Sequence, residues 1–215
     1  GVGGKVLMMA IDIETGEILW QTPNPKGWKM THSSPVPVEF AGRRMYVWCA
    51  SGGVVGVDAE DGSLLWEVPE WTITIANVPT PVPVGDGRVF LSGGYNAGAM
   101  MLRLVEDGDS VKAEIDYRLE PEVFGSPQHT PIFYEGYIYG VRPDGQLTCL
   151  DPSGEVVWTS GSTHTFGLGP FTIANGMIYV MDDHGRLTLA EATPVGYVQL
   201  DEAKVLEGPE AWGPI

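Results

Sequence analysis

Histidine is the first residue type in this chain whose placement invites a chemical reading. His32 (Thr31-His32-Ser33-Ser34-Pro35) and His129 (Gln128-His129-Thr130-Pro131) stand just ahead of a proline that opens a short apolar run. His164 (Thr163-His164-Thr165-Phe166) stands a few residues ahead of a third such proline. Imidazoles gathered by a fold bind zinc, usually with a close His-x-His or His-x-x-x-His pair supplying part of the ligand set. No such pair is present, so the spacing favours polar loop residues facing water over a metal centre. His184 falls in the turn Asp182-Asp183-His184-Gly185 and reads as exposed. Ser33, Ser34 and Ser126 lack the strand–elbow–helix context of an activated nucleophile. No glycine-rich loop opens a helix, which excludes a phosphate cradle. The acidic turns, with Glu60-Asp61-Gly62 as a second example, have the composition of hairpin corners rather than the converging oxygens of a Ca²⁺ site. Cys49 and Cys149 lie inside apolar stretches and read as small buried hydrophobes rather than a disulfide.

The elements that would carry these residues are short and repeated. The chain of 215 residues holds 29 glycines and 17 prolines, too many for a helical protein, and they fall between brief apolar runs as turn punctuation does. A proline opens a strand at Pro35, Pro81, Pro131, Pro170 and Pro214, at intervals of 46, 50, 39 and 44 residues. Each proline strand is followed by a glycine turn and an aromatic or β-branched strand, such as Met45-Tyr46-Val47-Trp48 or Met177-Ile178-Tyr179-Val180. A second glycine turn, a third strand, and an Asp–Gly corner leading to a fourth strand complete the unit. Four antiparallel strands per period of ~40–50 residues, with no helical periodicity, predict the blades of a β-propeller. The expected blades are residues 1–24 (partial), 33–70, 79–120, 129–160, 168–205 and the start of another at 212–215. In all, four to five blades are present.

The closing corner carries a recognisable motif. Ala10-Ile11-Asp12-Ile13-Glu14-Thr15-Gly16-Glu17-Ile18-Leu19-Trp20 resembles the repeat signature of the pyrroloquinoline-quinone-like (PQQ-like) family, A-x-D-x-x-T-G-x-x-x-W. Gly56–Trp66 repeats it with two changes, and Cys149–Trp158 repeats it one residue shorter. The resemblance implies that Trp20, Trp66 and Trp158 dock against the neighbouring blade while Asp12, Asp58 and Asp151 brace the corner. Two copies depart from the pattern. Leu104-Val105-Glu106-Asp107-Gly108 has no closing Trp, and after Leu189–Gly196 the expected Trp position falls at Tyr197 or Val198. Propellers of the family generally have seven or eight blades, well over ~300 residues at this period. The chain therefore reads as a piece of a longer one.

Function follows less directly. With 28 acidic against 12 basic residues the net charge is −16, and no Lys/Arg cluster offers a footprint for nucleic acid. No apolar run reaches the ~18–20 residues of a membrane helix. Quinoprotein dehydrogenases similar to this repeat hold a quinone with Ca²⁺, stack it on a Trp and often cap it with a disulfide of adjacent cysteines, a pair this sequence lacks. The resemblance favours the non-enzymatic branch, at repeat level that of lipoproteins assisting outer-membrane protein assembly. The reading is a protein-binding scaffold with no cofactor, in the periplasm or outside the cell. Equivalent loops at 26–34, 71–80, 121–130 and 160–169 would form the contact face at the channel mouth, with His32, Ser33, Asn77, Gln128, His129 and His164 as candidates. Trp28, Trp71 and Phe124 either pack over the blade ends or rim a binding face. The alternatives are a PQQ- and Ca²⁺-dependent or metal-dependent oxidoreductase fragment and a carbohydrate-binding propeller.

Overall fold

The computed structural model describes residues 4–213, so the strand start expected at Pro214-Ile215 lies outside the described residues. The described chain is all-β, a β-propeller fold of eighteen strands with no helix among the described residues. β1 (Val6–Ile11) and β2 (Ile18–Pro23) form a two-stranded sheet. Four four-stranded sheets follow, each with its strands in chain order. They are β3 (Val36–Phe40), β4 (Arg43–Ala50), β5 (Gly53–Asp58) and β6 (Leu64–Val68); then β7 (Val82–Gly85), β8 (Arg88–Gly93), β9 (Gly98–Asp107) and β10 (Ser110–Leu119). The next are β11 (Ile132–Tyr134), β12 (Tyr137–Val141), β13 (Leu147–Leu150) and β14 (Val156–Thr159), and finally β15 (Phe171–Ala174), β16 (Met177–Met181), β17 (Arg186–Glu191) and β18 (Gln199–Lys204). In every four-stranded sheet the first strand begins at the residue after the repeat proline, where the missing N–H opens the ladder without breaking it.

The chain divides into two compact units, Gly1–Leu91 with Met100–Arg118 and Ser92–Ala99 with Leu119–Ile215. The first holds the β1–β2 and β3–β6 sheets, the second the β11–β14 and β15–β18 sheets, and the β7–β10 sheet contributes to both. In the first unit Leu7, Trp48, Val55 and Val57 make a core against which Trp20 and Trp28 pack. In the second, Tyr139, Cys149, Trp158, Phe166 and Ile178 do the same.

The turn between the first two strands of each four-stranded sheet has two residues, both at positive φ: Ala41-Gly42, Asp86-Gly87, Glu135-Gly136 and Asn175-Gly176. That pair of angles defines a type I′ turn, whose twist matches the flanking strands. The closing corner has its own fixed form. In β1–β2, β5–β6 and β13–β14 the register slips beside the tryptophan, leaving Leu19, Leu65 or Val157 as the extra residue of a bulge, and β1–β2 slips a second time between Val6 and Met8. The motif aspartate holds the corner. Asp12 Oδ1 accepts the N–H groups of Glu14 and Thr15 and the Thr15 hydroxyl. Asp58 Oδ1 accepts the Glu60 N–H while Oδ2 pairs with Arg43. Asp151 Oδ1 accepts from Ser153 N–H, Ser153 Oγ and Glu155 N–H. The Thr15 N–H and hydroxyl and the Glu14 N–H hold the Asp12 carboxyl below its ordinary value. At Asp151 burial acts upward, but the Ser153 hydroxyl and the N–H groups of Glu155, Ser153 and Gly154 outweigh it, and the net direction is again down.

The bulge aims each tryptophan. Trp20 donates its indole N–H to Ala59 O at 3.2 Å, and its ring lies over Gly62, where a Cβ would come within 2.5 Å of it. Gly62 also has φ +75, so the corner needs glycine for space and for conformation. Trp158 donates to Thr193 O at 2.7 Å and packs on Tyr197. Trp66 differs. It is equally buried and lies flat on Gly56 of its own sheet, yet its indole N–H meets no acceptor among the described residues. The third sheet has no Asp-braced corner; β9 and β10 run on as ten-residue strands to a turn at Gly108, with backbone groups committed to the ladder.

The register also relocates one position. Cys149 pairs with Trp158 as Leu189 pairs with Asp201, so Asp201 occupies the tryptophan position of the last blade, not Tyr197 or Val198. The corner from Glu191 is longer, and Leu200 is its bulge residue. Tyr197 instead reaches Trp158 from within that corner.

Substitution by Phe removes the indole N–H at either position. At Trp158 this deletes a bond with a net contribution of about 1 kcal/mol; at Trp66 it removes an unpaired buried donor whose burial costs about 1–3 kcal/mol. Trp158→Phe should therefore destabilise the chain by at least about 1 kcal/mol more than Trp66→Phe, measured by urea unfolding. Equal losses would show that the indole N–H groups do not distinguish the two joints.

Candidate functional site

The four loops expected to form a contact face are held by their own hydrogen bonds, and each unit shows its own pair. In the first unit, Asn24 is the hub. Its side chain bonds Gly4 O, Trp28 O and Trp28 N–H, fixing the bend Asn24-Pro25-Lys26-Gly27. The Trp28 indole then lies against Gly52, with Lys26 5.4 Å above the ring and paired with Glu67. Lys29 N–H donates to Ser51 Oγ and Ser51 N–H returns to Lys29 O. The same loop is tied to residues 71–80: His32 N–H donates to Asn77 O at 3.1 Å and Ser34 N–H to Thr80 Oγ1.

The candidates on these loops divide by exposure. The His32 ring faces solvent, whereas Ser33 and Asn77 are buried. Ser33 O accepts the Trp48 indole N–H at 3.0 Å. Asn77 is enclosed beside Ser33, Trp71 and the Cys49 thiol. Neither the Asn77 amide nor the Trp71 indole N–H completes a well-formed hydrogen bond among the described residues. Among the side chains these two loops expose, two are long and apolar, Met30 at 60% and Ile75 at 72%, each two residues from the His32–Asn77 bond and flanked by exposed Lys26, Lys29, His32 and Thr74.

In the second unit, Ser126 ties the loop at both ends, its N–H donating to Ser92 Oγ and its hydroxyl to His129 O. Phe124 is fully buried against Gly140. His129 directs Nε2 at Leu168 O and sets its ring edge-on to Phe171, while buried Nδ1 has no partner among the described residues. Burial lowers its pKa, partly opposed by the Leu168 carbonyl and Asp183. The imidazole is thus neutral, with the proton on Nε2. Gln128 is half-buried beside it. His164 turns elsewhere, to Thr163 Oγ1 and the Tyr197 ring at 5.3 Å. The 160–169 loop is anchored by Phe166 N–H to Gly145 O and by Leu168 N–H to Asp183 Oδ1.

Ser33, Asn77 and His129 are therefore built into the scaffold, and His32 and His164 remain open. The aromatic-rim alternative fails for Trp71 and Phe124, which are buried; only Trp28 is part-exposed. Asn24 and the exposed pair Met30 and Ile75 were not singled out in the sequence. An Asn between two prolines is the local signal for the first; single apolar loop residues give none.

With this geometry the comparisons with known proteins can be placed. The family model described as "Outer membrane protein assembly factor BamB" matches residues 2–159. The chain belongs to this PQQ-like family. The BamB of Moranella endobia (strain PCIT) is 22% identical over 246 residues, covering 86% of this chain and 60% of the relative. The chain thus spans about three fifths of the length of that relative. The crystal structure of BamB from Moraxella catarrhalis has a TM-score of 0.58 at 14% identity, covering 94% of this chain and 59% of that one. The quinohemoprotein alcohol dehydrogenase of Comamonas testosteroni has a TM-score of 0.61 at 13% identity, covering 92% of this chain and 40% of that one. These two likenesses concern the fold alone.

The quinone implied by the family name can be tested against the residues present. Among the described residues no three His, Cys, Asp or Glu side chains are grouped to hold a cation. Asp12, Asp58, Asp151 and Asp182 accept N–H groups of their own corners. Cys49 and Cys149 are free buried thiols, not an adjacent pair. These residues do not fit a Ca²⁺–quinone cradle.

Burial pushes the Cys49 thiol up to about 12, with smaller opposing effects from Ser33, Asn77 and Trp71. Burial likewise raises Cys149 to about 11, against a smaller effect from Tyr139. Because the thiolate is the nucleophile, neither cysteine should react with a thiol-specific chromophore at pH 8 until denaturant is added. Fast labelling of the native chain would overturn this assignment.

Proposed function

We propose that this chain is a non-catalytic propeller scaffold that binds a protein during outer-membrane protein assembly, in the periplasm and without a resident quinone or metal. The observation that carries this reading is the loop pair 26–34 and 71–80. Met30 and Ile75 stand out, among exposed polar neighbours such as Lys29 and Thr74, on a backbone fixed by the Asn24 and His32–Asn77 bonds. Pre-fixed apolar side chains suit protein recognition, because little loop entropy is lost on binding. The family match and the printed name of the relatives support the choice of process. Enzymatic chemistry would need converging acid, base or metal-binding groups. The candidate histidines instead turn to separate partners, Leu168 O for His129 and Tyr197 for His164.

A photo-crosslinking amino acid at Ile75 of the full-length protein, in its own bacterium, should capture a protein of the outer-membrane assembly process. A control at Glu114 should not. Adding Met30→Glu should reduce the Ile75 adduct about tenfold or more, as expected for a charge placed in an apolar contact, without changing the melting temperature. Equal adducts at Ile75 and Glu114 would overturn the assignment of this face. As a separate check on the cofactor reading, adding PQQ with Ca²⁺ to the full-length protein should leave both its visible absorbance and its melting temperature unchanged. A saturable shift would return the quinone to consideration.

A further inference from the structure

The second unit contains a cavity of about 260 Å³ that the scaffold reading does not use. Three segments distant in sequence line it: His164 and its neighbours on the 160–169 loop, Asp182 and Arg186 at the β16–β17 turn, and Gln199 with Glu202 on β18. Side chains of the last two segments are linked. Tyr197 Oη donates to Gln199 Oε1 at 3.1 Å, Gln199 Nε2 to Glu202 Oε2 at 3.2 Å, and Arg186 Nη1 to Glu202 Oε1 at 2.9 Å. Asp182 is held from behind, its Oδ1 accepting the N–H groups of His184 and Arg186 at 2.8 Å each, with Oδ2 left for other partners. His164 and Phe166 are the rings of the lining, and Tyr197 backs them from outside it, 5.3 Å from His164 and 6.5 Å from Phe166.

This donor set discriminates among ligand classes. Two carboxylates against one guanidinium disfavour a phosphate or other small anion. The lining is polar in every segment but Phe166, so an aliphatic chain would strand hydrogen-bonding groups. A cation is not favoured either, because no three ligating groups converge among the described residues. What remains is a ligand with an apolar face to lie on an aromatic ring and an equatorial belt of hydroxyls that both donate and accept. That is a pyranose. The cavity is below the ~300–1,000 Å³ of clefts that enclose drug-sized ligands, and so suits one ring.

We infer that this cavity is a carbohydrate subsite for a single neutral pyranose, with His164, backed by Tyr197, as its stacking wall and Asp182, Arg186, Gln199 and Glu202 as hydroxyl partners. It stands independently of the protein-binding face, being made of different residues in a different unit.

The test uses the intact chain and a panel of glucose, galactose, mannose and N-acetylglucosamine, read by saturation-transfer NMR and calorimetric titration. At least one sugar should bind saturably at millimolar concentration. Glu202→Ala, at an exposed position, should weaken that binding about tenfold, the size expected for a hydrogen bond to a charged group, and Tyr197→Phe, which keeps the ring but releases Gln199, should weaken it by less. Unchanged melting temperatures would show that neither variant acts through unfolding, and Met30→Glu should leave sugar binding intact. Absence of saturable binding by all four sugars would overturn the proposal, as would binding that Glu202→Ala leaves untouched.

Discussion

One contact occurs in each unit where a closing corner meets the sheet before it: an indole ring laid on the corner, with its N–H on a corner carbonyl. Trp20 does this over Gly62 and Ala59, and Trp158 over Tyr197 and Thr193. Much of the local sequence serves that contact. At the Trp20 joint Asp58 fixes the receiving corner and Gly62 leaves room for the ring, and at both joints the bulge at Leu19 or Val157 turns the tryptophan toward its acceptor. A four-stranded sheet has two faces to cover, and stacking sheets through one large aromatic per joint buries both while leaving few open edges. Energetically such an array behaves as a chain of nearest-neighbour joints. Trp66 shows what happens when one partner is lost. Its ring remains buried and its polar group does not find an acceptor among the described residues, while Arg43 to Asp109 O and Arg118 to Glu70 O supply hydrogen bonds between this part of the chain and the β9–β10 hairpin.

Much of this was legible in the sequence because the signals are local. The repeat proline marks the residue before each first strand, and the Asp–Gly corner marks where the bulge and the tryptophan follow. In the last blade the motif spacing points to Tyr197 or Val198, three or four residues short, because only cross-strand register identifies Asp201 as the tryptophan equivalent, and a lengthened corner conceals register. Burial was the other blind spot. Ser33, Asn77 and His129 look like surface polar residues by type and loop position, yet they are covered by neighbours from other segments. The cavity lined by His164, Asp182 and Glu202 has no motif at all, since its residues meet only through the pairing of β16, β17 and β18.

The loops illustrate how a scaffold gains a surface without chemistry. Backbone and short polar groups hold the loops, and Met30 and Ile75 face outward beside exposed Lys29, His32 and Thr74. Rigidity of this kind favours binding by shape and apolar contact. It disfavours catalysis, which asks for polar groups left free and aimed at a common point. The second unit shows the opposite pattern at Gln199 and Glu202, where polar groups are linked to one another and still line open space.

The two kinds of turn in each blade differ in how much change they accept. The first hairpin keeps two residues at positive φ in all four sheets, even where that places Ala41 or Glu135 in a region costly for a side chain with Cβ. The closing corner varies freely by comparison, from the short form at Asp151 to the long one at Glu191 and the plain hairpin at Gly108. Descent by duplication of such a unit would therefore record insertions and deletions almost entirely at the outer corner, with the opening hairpin conserved in length. Aligning the repeats on Ala41, Asp86, Glu135 and Asn175 gives a fixed ruler against which the age and order of those insertions can be read.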